Sequence, residues 1–436
     1  MTNWWESIGV TWSSDTGVVE ERRVDRSGWA PVGRPAAVLF PRDADEVARV
    51  LRGATSARTV VVPRGAGTAL TGATTAGEGA LVLDLSRMDR IVAIDPDDGT
   101  AVVEPGVITA DLDRAAGKLG LRYAPDPASF EISTIGGNIA TNAGGLRCAK
   151  YGVTRDAVLG LEVVLASGER IRTGRSTLKG VSGYDLTGLI VGSEGTLGVV
   201  VEATLRLRPL PLSTTTLAAT FDDIALAAAA AVALTASGVQ PAMAELLDAA
   251  TLRAIGTRPD AGALLIVQTD AAGEELVAEK VLAETARTVE VSRDPTALLA
   301  ARRQALPAIE RLGRPLIEDI AVPRSRLAEA VRAVERIAAR HGVPIFTLSH
   351  AADGNLHPII VADPAATTIP PEVQRAADDI FTLALDLGGT LTGEHGIGTL
   401  KRAWLAREIG PVSHDLQRRI KALFDPDNIL NPGKAI

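Results

Sequence analysis

From about Pro35 the chain switches repeatedly between two hydrophobic periods. AAVLFP (36–41) is a continuous apolar run of strand length, and DADEVARVLRGATS (43–56) has helical spacing through Val47, Val50 and Leu51. RTVVVPRG reads as a strand entering a glycine-rich turn, and ALVLDLS (80–86) and TAVVEPG (100–106) read as further strands. TADLDRAAGKLG (109–120) is helical, and LEVVLASGERIRTG (161–174) is a hairpin turning at Ser167-Gly168. Strands and helices mix without a regular βαβ rhythm, which predicts an α+β fold rather than a doubly wound sheet.

Composition shifts at LRLRPLPLSTTT (205–216), where Pro209 and Pro211 mark a boundary near residue 211. The pattern then restarts with a helix over 222–236, a strand over 262–270 and a helix over 274–287. A helix over about 325–340 carries Leu327, Val331, Val334 and Ile337 on one face. The strand VPIFTLSH follows, then a helix over 372–387 stopped by Gly388-Gly389. The most apolar stretch, Ile224 to Ala236, falls well short of the roughly 20 residues of a bilayer span. Asp222-Asp223 before it and Ser237-Gly238 after it mark a buried helix, so no membrane span is expected.

A chain of 436 residues exceeds a single compact core and predicts at least two domains. With 46% hydrophobic and 22% charged residues it reads as a soluble enzyme. A net charge of -8 and scattered arginines argue against nucleic acid as a partner. Cys148 is the only cysteine, which excludes an intrachain disulfide and points to a reducing cytoplasm. MTNWWESIGVTWSSD lacks the basic and apolar regions of a signal peptide.

Three glycine-rich stretches carry the first chemistry. In VVPRGAGTALTG (61–72), Gly65 and Gly67 let consecutive backbone N–H groups turn toward one anion. No Gly-Lys-Ser/Thr follows, and the GxGxxxxG spacing is not a Rossmann fingerprint; a plain tight turn is the alternative. DPASFEISTIGGNIATNAGGLRCAKYG (126–152) holds Gly136, Gly137, Gly144, Gly145 and Gly152, with Asn138 and Asn142 offering amides. Its buried-type Ile135, Ile139 and Leu146 fit a main chain pressed against an extended ligand better than a loose linker. GLIVGSEGTLGVVVEATLRL (188–207) adds Gly192, Gly195 and Gly198 before an apolar strand.

PRGAGT, PDPAS, TIGGNIATNAGG, KYGVTRD, GYDLTGLIVGSEGTLGVV, HAADGNLHP, GEHGIG and FDPDNILNPGK, in this order, resemble the FAD-linked 2-hydroxyacid dehydrogenases of the vanillyl-alcohol oxidase flavoprotein superfamily. The likeness runs from about residue 35 to the C-terminus and is of the glycolate oxidase FAD subunit and D-lactate dehydrogenase type. It implies a two-part FAD-binding domain over 1–211 and an α+β substrate or cap domain over 212–436, with about 395–436 returning toward the first. It places Arg64, Gly65, Ala66, Gly67 and Thr68 around the pyrophosphate. Asp126, Ser129, Thr134, Gly136, Gly137 and Asn138 line the ribityl and isoalloxazine parts, and Asn142, Gly144, Gly145 and Tyr151 fall in the same stretch. Glu194, Gly195, Gly198 and Val200 hold the adenosine end. Some superfamily members attach flavin through His or Cys; the first loop has neither, so FAD is expected to bind non-covalently, and Cys148 reads as a small buried residue.

Two of the five histidines flank a turn in SHAADGNLHP (349–358). Asp353-Gly354-Asn355 is strong turn chemistry, and paired strands on either side would set His350 and His357 facing each other within reach of one metal ion. Two histidines capping a sheet with hydrogen bonds are the plain alternative. TGEHGIG (392–398) supplies Glu394 as a third ligand, and two histidines with one carboxylate make a divalent site, of the zinc, manganese or iron kind, with an open position. The resemblance implies His395 as base, Arg302 in ARRQALPAIERLGRPLIEDIAVPR (301–324) as the substrate-carboxylate ligand, and Asn355 as a second contact; Arg303 competes with Arg302. Relatives usually read GHxGDGNxH, whereas this chain has Ser349 and Ala352 at the first two glycine positions. If the Ala352 position demands φ > 0, alanine strains the loop by about 1–2 kcal/mol. His341 and His414 read as helix-end residues.

The implied reaction is oxidation of a small 2-hydroxy acid, of the D-lactate or glycolate class, to the 2-oxo acid, with hydride passing to flavin N5. Electrons then leave to an external acceptor: quinone, cytochrome, electron-transfer flavoprotein or a partner subunit. The expected location is cytoplasmic or peripheral to the inner membrane face. A non-redox or reductase member of the superfamily and an inert subunit of a larger oxidase are the alternatives.

Overall fold

The computed structural model describes residues 3–177, 179–294 and 296–436. They form two compact units: the chain up to Gly145 with Gly152–Leu210 and Glu394–Ile436, and Leu146–Tyr151 with Pro211–Gly393.

The first unit has two main sheets and a short antiparallel pair, Leu121–Arg122 with Arg208–Pro209. One is four-stranded, in the order Thr11–Ser13, Ala37–Phe40, Leu81–Asp84 and Val61–Arg64; its last three strands are mutually parallel. The helix Ala44–Ala57 links two of these strands, capped by Asp43, whose carboxylate accepts from Glu46 N at 2.8 Å. Val47, Val50, Leu51 and Ala54 on its apolar face are buried with Leu39, Leu81 and Leu83. The second sheet is antiparallel, in the order Ile91–Asp95, Thr100–Val103, Val199–Arg206, Val158–Val164 and Arg170–Gly174. The predicted hairpin at Ser167-Gly168 is the last pair of this sheet.

The second unit is built on one eight-stranded sheet, antiparallel at every pairing. Met243–Asp248, Ile345–His350 and Asn355–Ala362 lie side by side near its middle. The helix Leu327–His341 buries Leu327, Ala330, Val331, Val334 and Ile337 and ends at Gly342, which has φ 65°. Ile224–Ala236 is a buried helix capped by Asp223, as its apolar composition requires. Among the described residues, no helix is long and apolar enough to cross a membrane. Both units mix strands and helices in the α+β manner, the first with the two-part sheet arrangement expected of it.

Candidate active site

In the first unit, the strand Val61–Arg64 runs into a half-exposed loop. The backbone N–H groups of Ala66 to Leu70 find no acceptor among the described residues. A run of open amides is the chemistry that an anionic pyrophosphate satisfies, so the loop fits a dinucleotide. The Arg64 side chain, at the head of this loop, turns inward: its Nη1 donates to Val24 O at 2.8 Å and Thr74 Oγ1 at 3.3 Å. Burial pushes this guanidinium below the ordinary arginine range. Gly67 lies over it at φ 71°, where a side chain would be both strained and in collision with the guanidinium.

Around this loop the other glycine stretches close in. Gly65 packs on Thr134, whose hydroxyl caps the helix Ile135–Thr141 by accepting from Gly137 N at 3.3 Å. Gly136 lies against Pro105, Gly145 against the Asp126 carbonyl and Ser129 half-buried nearby in sequence. Asn138 is buried and donates to Thr109 Oγ1 at 2.8 Å; Asn142 accepts from Arg155 N at 2.9 Å. Both amides therefore brace the loop. Glu194 is buried, and its carboxylate accepts from Ile397 N at 2.7 Å and Gly398 N at 2.9 Å. Burial pushes its carboxyl above the usual glutamate range, against the pull of these N–H groups. Gly195 lies against Pro63, Gly198 against Val163, and Val200 is buried in the core of the antiparallel sheet.

From Glu394 onward the GEHGIG loop belongs to the same unit. Gly144 stands so close to the Glu394 carboxylate that a Cβ there would collide with it. His395 is largely buried, with Nε2 at 3.6 Å from Glu394 Oε1, and its carbonyl accepts from Thr71 Oγ1 at 3.5 Å.

The second unit holds the other residues. Ile345–His350 and Asn355–Ala362 pair as a hairpin in which His350 opposes Asn355 and Leu348 opposes His357. The histidines are thus diagonal neighbours on one face rather than directly opposed, because the turn closes on Asn355. Their rings are 4.9 Å apart between centroids and 81° between planes, and both are buried. His350 Nδ1 is 2.5 Å from Glu245 Oε1, and His357 Nδ1 lies 3.6 Å from Asp319 Oδ1. Arg302, on the helix Thr296–Glu310, donates from Nε to Glu245 Oε2 at 2.6 Å, whereas Arg303 is exposed. Burial alone would push the Glu245 carboxyl up; His350 and Arg302 outweigh it and hold it below the usual range. Asn355 is buried beside Gly393, and its Oδ1 has no partner among the described residues.

Glu245 and Asp319 were missed in the sequence; a carboxylate inside an otherwise apolar strand, as in AELLD, was the available signal. Ala352 does not take positive φ, so the expected strain is absent; Gly354 carries the turn at φ 86°. Ser349 donates to Asn355 O at 2.7 Å. Tyr151 belongs to the second unit, its phenol bonded to Asp270, and Cys148 is half-buried rather than buried. His341 ends its helix against Asp379 at 2.8 Å, and His414 lies in the first turn of Pro411–Phe424.

Residues 35–174 match the FAD binding domain family, and residues 210–435 match the family described as FAD linked oxidases, C-terminal domain. The chain belongs to the FAD-linked oxidases. This FAD-linked oxidase is 46% identical to the glycolate oxidase subunit GlcD of Bacillus subtilis, over 92% of this chain and 88% of that one. It is 36% identical to the D-lactate dehydrogenase of Archaeoglobus fulgidus, over 92% and 91% respectively. The fold is shared with 4-ethylphenol oxidase from Gulosibacter chungangensis at a TM-score of 0.77 and 18% identity, covering 97% of this chain and 94% of that one. Membership in the FAD-binding family establishes FAD as the cofactor.

Proposed function

We propose that this FAD-linked oxidase converts a small 2-hydroxy acid of the glycolate or D-lactate class to the 2-oxo acid. The observation that carries it is the second unit's buried cluster: two imidazoles 4.9 Å apart, the Asn355 amide, and Arg302 tied to His350 through one carboxylate. Two imidazoles are borderline-soft donors suited to a divalent transition metal, and Glu394, next in the chain after Gly393, adds a hard oxygen. His350, His357 and Glu394 would hold that metal. Bound FAD supplies a hydride acceptor, and the metal supplies a Lewis acid for the substrate hydroxyl.

The chain's own groups do the rest. Arg302 binds the substrate carboxylate through its Nη atoms, fixing which face of C2 is presented. Asn355 adds an amide contact. An imidazole nitrogen of His395 accepts the hydroxyl proton as C2 loses its hydride. Glycolate oxidase and D-lactate dehydrogenase among its relatives support this substrate class. Electrons then pass to an external acceptor, and the word subunit in the name of the Bacillus relative favours a partner protein.

Anaerobic mixing with glycolate, D-lactate and larger 2-hydroxy acids tests the proposal. Bleaching of the flavin by at least one of them is expected; no bleaching by any would overturn it in favour of a non-redox reading. His395→Ala should keep its FAD while flavin reduction slows by about 10²–10⁴-fold. Normal reduction in that variant removes His395 from the mechanism.

A further inference from the structure

Glu245 takes no chemical step in the proposed reaction, although it is a fully buried charge in the second unit. It lies in the strand Met243–Asp248 beside Leu246 and Leu247 and has no exposed surface. A carboxylate in such a place persists only when its oxygens are matched by donors. Here each oxygen has a different one. Oε1 meets His350 Nδ1 at 2.5 Å, and Oε2 meets Arg302 Nε at 2.6 Å. Glu245 and His350 are also direct cross-strand partners, so the sheet register brings the carboxylate to the ring.

We infer that Glu245 is a positioning residue that presets two groups at once: the ring nitrogen that His350 offers to a metal, and the guanidinium edge that Arg302 offers to a substrate carboxylate. The inference rests on the function proposed above. An imidazole that donates Nδ1–H to a carboxylate is locked in one tautomer and keeps its lone pair on Nε2. A guanidinium whose Nε is committed still has both Nη atoms, and its swing about the side-chain axis is restrained. One carboxylate thereby ties the strand Ile345–His350 to the helix Thr296–Glu310. It also balances the arginine charge before substrate arrives.

Glu245→Gln removes the charge and turns an amide N–H₂ toward one of the two donors. The holoenzyme and this variant are compared for FAD content, metal per chain, metal loss during timed dialysis against chelator, KM, kcat and thermal midpoint. The variant is expected to keep FAD and unfold cooperatively, to lose metal about 10–100-fold faster, and to show a KM raised by a similar factor. Glu245→Asp keeps the charge with a shorter reach and should recover part of both effects; it carries the comparison if the glutamine variant does not fold. A lowered thermal midpoint with unchanged metal retention and KM would mean a purely structural ion pair and overturn the inference. Wild-type protein that takes up no divalent metal refutes the metal assignment itself, and the inference falls with it.

Discussion

Ser349 and Ala352 stand where the sequence resemblance leads one to expect glycine, and the structure explains why the hairpin accommodates them. The Ser349 hydroxyl is fully buried and donates to Asn355 O within its own hairpin. Ala352 sits at ordinary negative φ, so no backbone strain waits to be relieved. Ala352→Gly should therefore destabilise by about 0.5–1 kcal/mol through the added freedom of the unfolded chain. Ser349→Ala should cost about 1 kcal/mol for the lost hydrogen bond. Urea unfolding of both variants checks this, and a gain in stability on Ala352→Gly would reveal strain after all. At this scale the histidines of the turn were legible because Asp353-Gly354-Asn355 announces a hairpin between apolar runs. Glu245 was not, because one carboxylate in a buried strand leaves no periodic trace; only its partners, 57 and 105 positions away, reveal its part.

Elements with their own stop and start signals were read from sequence nearly to the residue. Ala44–Ala57 has an aspartate cap, and Leu327–His341 has a glycine beyond its end. Thr296–Glu310 escaped because Pro307 interrupts its pattern. The register of the histidine hairpin escaped too, since turn geometry rather than composition decides which residues oppose. A buried glutamate shows how one element holds another. Glu194, at φ 53°, gives its N–H to Ala140 O at 2.7 Å and accepts from Asn431 Nδ2 at its carbonyl, also at 2.7 Å. Its carboxylate meanwhile anchors Ile397 and Gly398, the end of the loop that carries Glu394 and His395. Glu194→Ala leaves those N–H groups in a buried place without their acceptor. It should cost about 2–4 kcal/mol, taking each unmet donor at about 1–2 kcal/mol. It should also lower kcat as His395 loses its setting. Thermal unfolding and steady-state rates on the same preparation check both, and an unchanged rate would show that the loop keeps its geometry without this anchor.

Over the whole chain, the path between the two units is as informative as either fold. The backbone leaves the first unit after Gly145, contributes only Leu146–Tyr151 to the second, and returns at Gly152. This excursion starts two residues beyond Gly144, the residue pressed against Glu394, so its fixing bears on that glycine by covalent continuity. Within the second unit the segment is held by Leu146 in the apolar core and by Asp270, which takes Lys150 Nζ at 2.5 Å and the Tyr151 phenol. Asp270 is nearly inaccessible, so its two bonds are sheltered from water and screening. Hydrogen bonds to a charged group contribute about 1.5–3 kcal/mol each. Losing even one such bond raises the open population of the segment by about tenfold or more. Asp270→Ala should accordingly speed tryptic cleavage after Arg147 or Lys150 by at least about tenfold, because cleavage of a rapidly opening segment follows its open population. Tyr151→Phe removes the phenol bond alone and should fall between that variant and wild type. Mass mapping of the first nick on the FAD-loaded protein decides the matter: a first cut elsewhere, or an unchanged rate in Asp270→Ala, would show that the apolar anchor at Leu146 holds the excursion without the carboxylate.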